Sequence, residues 1–275
     1  MSKGYNFVEN TIDLPMVDHD VIKFYSGLMD INGMEILFPD LELGCINFGF
    51  WSNLPEKIDK KTRLDSQINL YKKVISFLEN GQDRRILEVG CGRGHGVHLM
   101  LNYGFNPMGI DAVPSQISLC KDNYPQEAHR FIQGYAADTS FSDESFDGII
   151  TLEAAQHFPD FEAFIKESYR ILKPNGELII STFFFTGYSS NPAINDILPL
   201  NVLGSHHAVG IEYARELLSA HGFSNINILS IGENVFKGFC KWALQEKPHT
   251  KHSSQWVDAY ELKYLDYFII KCSKQ

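Results

Sequence analysis

The sequence predicts an α/β protein, an open seven-stranded sheet with helices on both faces. One stretch and one pattern carry that reading. The stretch is Arg85-Ile86-Leu87-Glu88-Val89-Gly90-Cys91-Gly92-Arg93-Gly94-His95-Gly96-Val97, an apolar strand that breaks into alternate glycines and re-forms as a helix. The pattern is the alternation around it of short apolar runs with segments of helical period. At 275 residues, 44% hydrophobic and 21% charged, the chain can bury one such core with embellishments.

Taken in order, residues 1–17 are mixed and peripheral by expectation. Asp18 to Met29 has helical spacing at Val21, Ile22, Phe24, Tyr25 and Leu28, with Asp18 or Asp20 as cap. An aromatic segment, Ile46 to Trp51, surrounds Gly49. A second helix, about Lys61 to Glu79, presents Leu64, Ile68, Tyr71, Val74, Ile75 and Leu78 on one face and stops at Asn80-Gly81. Past the glycines come a strand ending at Asp111, a helix from Pro114 to Asn123, and a short strand from Arg130 to Gln133. A fourth strand, Asp147 to Leu152, leads into Glu153-Ala154-Ala155-Gln156-His157-Phe158-Pro159-Asp160. The helix Phe161–Leu172, the turn Lys173-Pro174-Asn175-Gly176 and the strand Glu177–Phe183 follow. Gly187 to Gly210 reads as a covering loop. Helices at Ile211–His221 and Asn234–Glu246 and strands at Ile226–Ile231 and Tyr267–Cys272 complete the pattern. The expected organisation is an N-terminal helical cap over residues 1–60 and a core over 61–275, with lid insertions near 186–210 and 232–262.

Charge narrows the function. With 24 basic against 34 acidic residues, net −10 and a pI near 5.4, the chain is a poor binder of phosphate backbones, so nucleic acid is an unfavoured partner. Five dispersed cysteines without a C-x-x-C pair fit a reducing compartment. The start lacks an apolar signal segment and no apolar run is long enough to span a bilayer, so a cytoplasmic protein is expected. His95-x-x-His98 and His249-x-x-His252 lack a surrounding Cys or carboxylate set, and no metal is expected.

The glycine stretch suits a ligand approached closely by backbone, with a helix N-terminus pointing at it. It does not fit G-x-G-x-x-G, because the third position is His95 or Val97. It carries instead Glu88 two places before Gly90, and E-x-G-x-G-x-G resembles the first motif of class I S-adenosylmethionine (SAM) methyltransferases. The segments Gly109 to Gln116, Gly134 to Asp147 and Arg170 to Leu178 resemble later signatures of the same family. The aromatic segment at Ile46–Trp51 resembles its cap. The resemblance implies a Rossmann-like sheet, SAM as cofactor with S-adenosylhomocysteine as product, and a small-molecule acceptor. It assigns the cofactor to Glu88, Gly90, Cys91, Gly92, Asp111, Ala112, Gln116, Tyr135, Ala136 and Glu153. Asp111 stands where a ribose-binding acid belongs, compatible with capping the next helix. Tyr135 replaces the family's usual adenine-binding Asp; either Asp138 substitutes or Tyr135 stacks on the ring beside the Ala136 N–H.

The fourth strand tip should face the transferred methyl, since ligands sit at carboxyl ends of open α/β sheets. His157 is the first candidate base there for a hydroxyl nucleophile, with a loop-bonding histidine as the alternative. Tyr25, Phe50, Trp51, Gln156, His206 and His207 are assigned to the acceptor. Aromatics elsewhere (Phe24, Phe48, Phe183 to Phe185, Tyr188, Phe236, Phe239, Trp242) are lid material or core. The function expected is O-methylation of a small, largely apolar secondary metabolite such as a polyketide or terpenoid. Alternatives are transfer to nitrogen or carbon of a small molecule, or SAM binding without catalysis. A nucleic-acid or protein-amide methyltransferase would carry an [N/D/S]-P-P-[Y/F] motif where Glu153-Ala154-Ala155-Gln156 stands. A nicotinamide oxidoreductase lacks support from both its glycine pattern and a Tyr-x-x-x-Lys pair.

Overall fold

The computed structural model describes residues 22, 25, 45–198, 207–246 and 254–275. Seven strands form one sheet: β1 (Arg85–Val89), β2 (Asn106–Asp111), β3 (Phe131–Gln133), β4 (Phe146–Leu152), β5 (Leu172–Phe185), β6 (Phe223–Ser230) and β7 (Leu265–Lys274). Their order is β3-β2-β1-β4-β5-β7-β6. The pairs from β3 to β5 are parallel, and β7 is antiparallel to both of its neighbours. The helices among the described residues are α1 (Lys60–Ile75), α2 (His95–Asn102), α3 (Pro114–Asn123), α4 (Phe161–Ile171), α5 (Ile211–Ala220), α6 (Gly232–Glu246) and α7 (Gln255–Glu261), besides single turns.

Consecutive apolar residues in the inner strands serve opposite faces, as the period of two in a strand dictates. Ile86, Ile150, Ile179 and Ile269 pack on one side with Leu70 and Val74 of α1, Val235 and Phe236 of α6, and Trp256 of α7. Leu87, Ile149, Leu178, Ile180 and Ile270 pack on the other with Phe164 and Ile165 of α4 and Ala214 and Leu218 of α5. That is why the central strands read as unbroken apolar runs. The sheet and the two helical layers agree with the expected class.

Several boundaries differ from expectation. Helix α1, capped by Asp59 accepting from Thr62 N–H at 2.7 Å, ends at Ile75, and Leu78 follows in a turn bonded back to Ile75. Strand β5 begins at Leu172 because the expected turn is absorbed as an irregularity against β4, with Asn175 left-handed at φ 63°. Of the segment expected as a lid near 232–262, the described residues pack on the core: Phe48 lies 4.6 Å from Phe239 and 4.9 Å from Trp256, and Phe183 also lies 4.9 Å from Trp256. Residues of the expected cap do the same. Phe50 N–H donates to Ser66 of α1 and Trp51 N–H to Asn234 of α6, both at 2.8 Å, so this part of the chain is tied to the body. Ile22 and Tyr25 are helical, as the sequence predicts; the remainder of residues 1–44, including Phe24, lies outside the described residues.

Candidate functional site

Strands β1 and β4 are neighbours, and β2 lies on the far side of β1 while β5 lies on the far side of β4. The chain therefore leaves their carboxyl ends in opposite directions, and a crevice opens between the two departing loops. A cavity of about 190 Å³ occupies it. One wall is the glycine loop (Val89 to Gly92), the β2 tip (Asp111 to Val113), Gln116 of α3, and Gly134, Ala136 and Ala137 after β3. The other is Tyr25, Ile46, Tyr71, Leu152 and the run from Glu153 and Ala154 through His157 and Phe158 to Asp160.

The glycine loop is shaped by what a side chain would strike. Gly90 is left-handed at φ 77°, and a Cβ there would stand 2.3 Å from the Cβ of Ala154. The loop can thus lie directly against the β4 tip, which brings the two walls together. Its N–H and that of Cys91 both donate to Ile110 O at 2.9 Å. Asp111 clamps the same loop: Oδ2 accepts from Gly92 N–H and Oδ1 from Val113 N–H, each at 2.9 Å. Burial pushes its carboxyl up to about 6, against the pull of those two hydrogen bonds. Gln116 is 2% exposed; its Nε2 donates to the Tyr25 carbonyl at 3.1 Å. Its Oε1 has no hydrogen-bond partner among the described residues. A buried amide oxygen left open in a cavity wall is a place for a ligand N–H or O–H.

At the opposite wall, Gln156 sets the state of His157. Gln156 Nε2 donates to the Glu153 carbonyl at 2.8 Å, while Oε1 accepts from Thr182 Oγ1 at 2.6 Å. A carbonyl can only accept, so the amide orientation is settled. The same Nε2 lies 3.1 Å from His157 Nε2. An N–H donor at that distance requires a lone pair on the imidazole nitrogen. His157 Nε2 is then the basic nitrogen, and the Tyr25 hydroxyl, 3.0 Å away, shares its single lone pair with the Gln156 N–H. Burial, then the nearby carboxylates of Glu153 and Asp111, hold the Tyr25 phenol well above its ordinary range, so it stays protonated.

Glu153 follows β4 directly in a left-handed conformation, φ 49°. Its Oε1 accepts from Phe48 N–H at 2.9 Å and from Tyr267 OH at 3.1 Å. Burial pushes this carboxyl up to about 7; the two hydrogen bonds and the Arg63 charge oppose that rise. Arg63 is wholly buried, donating to Phe48 O at 2.8 Å and Asn47 O at 2.7 Å. It thereby fixes the backbone that holds Glu153.

Of the residues chosen from sequence, Gly90, Cys91, Gly92, Asp111, Ala112, Gln116, Ala136, Glu153, Tyr25 and His157 line the cavity. Glu88 does not. Strand alternation turns its carboxylate behind the loop, where a Cβ on Gly96 would lie 2.4 Å from either oxygen. Tyr71 OH and Val97 N–H lean toward it without closing well-formed hydrogen bonds. Tyr135 is also absent from the wall: it bridges to Asp138, leaving Ala136 and Ala137 facing the cavity. Phe50 packs on the core, and Trp51 packs with Ile58 and Trp242. Gln156 braces the His157 loop and does not line the cavity. His207 is half-buried and not part of the wall; His206 lies outside the described residues. Tyr71, Asp160 and Phe158 are wall residues that sequence reasoning missed. Tyr71 is the one with a signal, a phenol on an otherwise apolar helix face.

Burial pushes the Glu88 carboxyl up to about 8. The folded chain then holds this proton more tightly than the unfolded chain does. Stability is fully present below the ordinary carboxylate range and is lost as pH rises toward about 8. Thermal melts across that range should show a falling midpoint, and Glu88→Gln should make the fall shallower. An identical pH slope in the two proteins would refute the assignment.

His95 and His98 are spent on Tyr124 at 3.3 Å and Glu127 at 3.2 Å. Among the described residues no group of three His, Cys, Asp or Glu is placed to hold a metal, and no helix is long and apolar enough to cross a membrane.

Comparison with known proteins adds the following. Residues 87–180 match the family described as Methyltransferase domain. The phthiotriol/phenolphthiotriol dimycocerosates methyltransferase of Mycobacterium leprae is 34% identical over 145 residues, 50% of this chain and 52% of that one. The fatty-acid O-methyltransferase of Mycolicibacterium smegmatis is 34% identical over 98 residues, 34% of this chain and 35% of that one. The chain thus spans about half the length, or less, of these relatives. Among solved structures, geranyl diphosphate C-methyltransferase from Streptomyces coelicolor A3(2), in complex with Mg2+, geranyl-S-thiolodiphosphate and S-adenosyl-L-homocysteine, superposes with a TM-score of 0.76. Its sequence identity is 13%, over 93% of this chain and 97% of that one. The fold is that of class I methyltransferases.

Proposed function

Taking as premise that residues 87–180 form a methyltransferase domain on a class I sheet, we propose that the chain transfers a methyl group from SAM to a hydroxyl of a small, largely apolar metabolite. A polyketide or terpenoid alcohol is the class of acceptor we favour. The observation that carries the proposal is one cavity with the glycine loop, Asp111 and the open Gln116 Oε1 on one side and the basic Nε2 of His157 on the other. The acceptors in the relatives' names, phthiotriol and phenolphthiotriol dimycocerosates and fatty acids, agree with an apolar acceptor. With five free, buried cysteines, a cytoplasmic protein is our reading.

The residues present fit the cofactor. Gly92 lines the cavity with open space where a Cβ would stand, Asp111 offers carboxylate lone pairs toward ribose hydroxyls, and Gln116 Oε1 is an unused acceptor. When bound, SAM supplies an electrophilic methyl on a sulfonium and leaves as the neutral thioether S-adenosylhomocysteine. His157 Nε2 takes the proton of the attacking hydroxyl as the oxygen–carbon bond forms. Gln156 keeps that nitrogen unprotonated and aimed. The acceptor hydroxyl would take the place of the Tyr25 phenol at His157 Nε2. Holding the partners in attack geometry is worth about 7–11 kcal/mol in such reactions.

Incubation of the full chain with methyl-deuterated SAM and a panel of hydroxylated polyketides and terpenoids tests the proposal. Label should appear as a methyl ether. Label on nitrogen or carbon would move the reading to those acceptor atoms, and SAM binding without any transfer would favour a non-catalytic protein. Asp111 gives a sharper check. Asp111→Asn should lose about 1.5–3 kcal/mol of SAM affinity, the value of a charge-assisted hydrogen bond, as read by calorimetric titration. Unchanged affinity would remove it from the cofactor site.

A further inference from the structure

The charge of the cavity lining bears on what the cavity admits. Three carboxylates line it, Asp111, Glu153 and Asp160, and among the described residues no lysine or arginine does. The buried cation Arg63 acts on Glu153 through its charge but does not line the cavity: both of its terminal nitrogens donate to the carbonyls of Phe48 and Asn47, and its guanidinium lies over the rings of Trp51 and Phe239. Arg93 is 3% exposed and does not reach the wall. An anionic acceptor would therefore meet like charge on the lining and no lysine or arginine of that lining to pair with, which is the costly arrangement for a buried charge.

Glu153 is the carboxylate best placed to impose this. It stands at the β4 tip with His157, and its Oε1 is held by Phe48 N–H and Tyr267 OH from two separate parts of the chain. No hydrogen bond engages its Oε2 among the described residues. The side chain is thus anchored at one oxygen and has the other to offer. Asp160 is committed to capping α4, accepting from Ala163 N–H at 2.8 Å, and Asp111 clamps the glycine loop.

We propose that the acceptor head group is uncharged or cationic and that Glu153 sets this preference, accepting a hydrogen bond from a hydroxyl or ammonium group and repelling carboxylates and phosphates. The inference rests on the methyltransferase reading above, and it separates this chain from relatives whose names carry an acid or a diphosphate acceptor. Sharing a fold or a domain with them does not transmit the acceptor's charge, because that is set by wall residues outside the glycine loop.

The test uses three probes of one chain length: octanol, octylammonium and octanoate. Each is titrated calorimetrically into the full chain saturated with S-adenosylhomocysteine, at about pH 8, where an ordinary carboxylic acid probe is ionised. Octanol and octylammonium should bind, and octanoate should bind roughly tenfold more weakly or worse. In Glu153→Gln the gap between octanol and octanoate should narrow, with a cooperative thermal unfolding transition showing that the variant is folded. Equal affinity of the parent for octanoate and octanol, or no affinity for octanol and octylammonium, overturns the proposal. A gap unchanged in Glu153→Gln overturns the role of Glu153. Failure of S-adenosylhomocysteine itself to bind the parent would instead overturn the methyltransferase reading, so the two failures are distinct.

Discussion

His157→Ala should bind SAM as tightly as the parent and turn over about 10²–10⁴-fold more slowly, the usual contribution of a positioned general base. An alcohol attacks poorly until its proton is leaving, and a neutral imidazole is the side chain matched to take that proton near neutral pH. The geometry supplies the neutral form: the Gln156 amide, oriented by the Glu153 carbonyl and Thr182, points an N–H at Nε2. The loss should shrink for phenolic acceptors, which ionise more readily without help. The parent's rate should fall on the acid side as the ring gains a second proton. Steady-state kinetics beside SAM titration checks all three. Parental turnover in the variant would remove His157 from the chemistry, and lost SAM affinity would move it to the cofactor site.

The second large effect is expected at the meeting of the two walls. Gly90→Ala introduces a Cβ 2.3 Å from that of Ala154, at a backbone φ of 77° that L residues adopt at a cost. The left-handed conformation costs roughly 1–2 kcal/mol and the overpacking a further 1–3 kcal/mol or so. The variant should unfold at a clearly lower urea concentration and lose most SAM binding as the loop is pushed out of place. Ala154→Gly in the same chain should return the overpacking part and leave the backbone part. Because the residues touch, the double-mutant cycle should show coupling rather than additivity. Purely additive losses would mean that the loop does not lie against the β4 tip.

Much of this was legible from local rules. The glycine loop, Asp111 and His157 sit at ends of strands that announce themselves as apolar runs, and a βα unit in an open sheet places such ends at a ligand crevice. The less legible part depends on contacts distant in the chain. Glu153 is held by residues 105 and 114 positions away, which no local spacing reveals. Phe50 and Trp51 were indistinguishable from lid aromatics because a large ring seeks burial equally in a core or over a ligand. Tyr71 looked like one more member of the apolar face of α1, whereas its side chain reaches the cavity. Glu88 shows the opposite error. Its place in the motif suggested the ligand's side of the loop, but Gly96 makes room for it on the other.

The central claim is that this cavity is built for SAM, and calorimetric titration of the full chain with SAM, S-adenosylhomocysteine and NAD tests it most directly. Saturable binding of the first two at one site per chain, weakened in Asp111→Asn, with no heat from NAD, is the result predicted here. Binding of NAD, or no binding of SAM and S-adenosylhomocysteine, would contradict it.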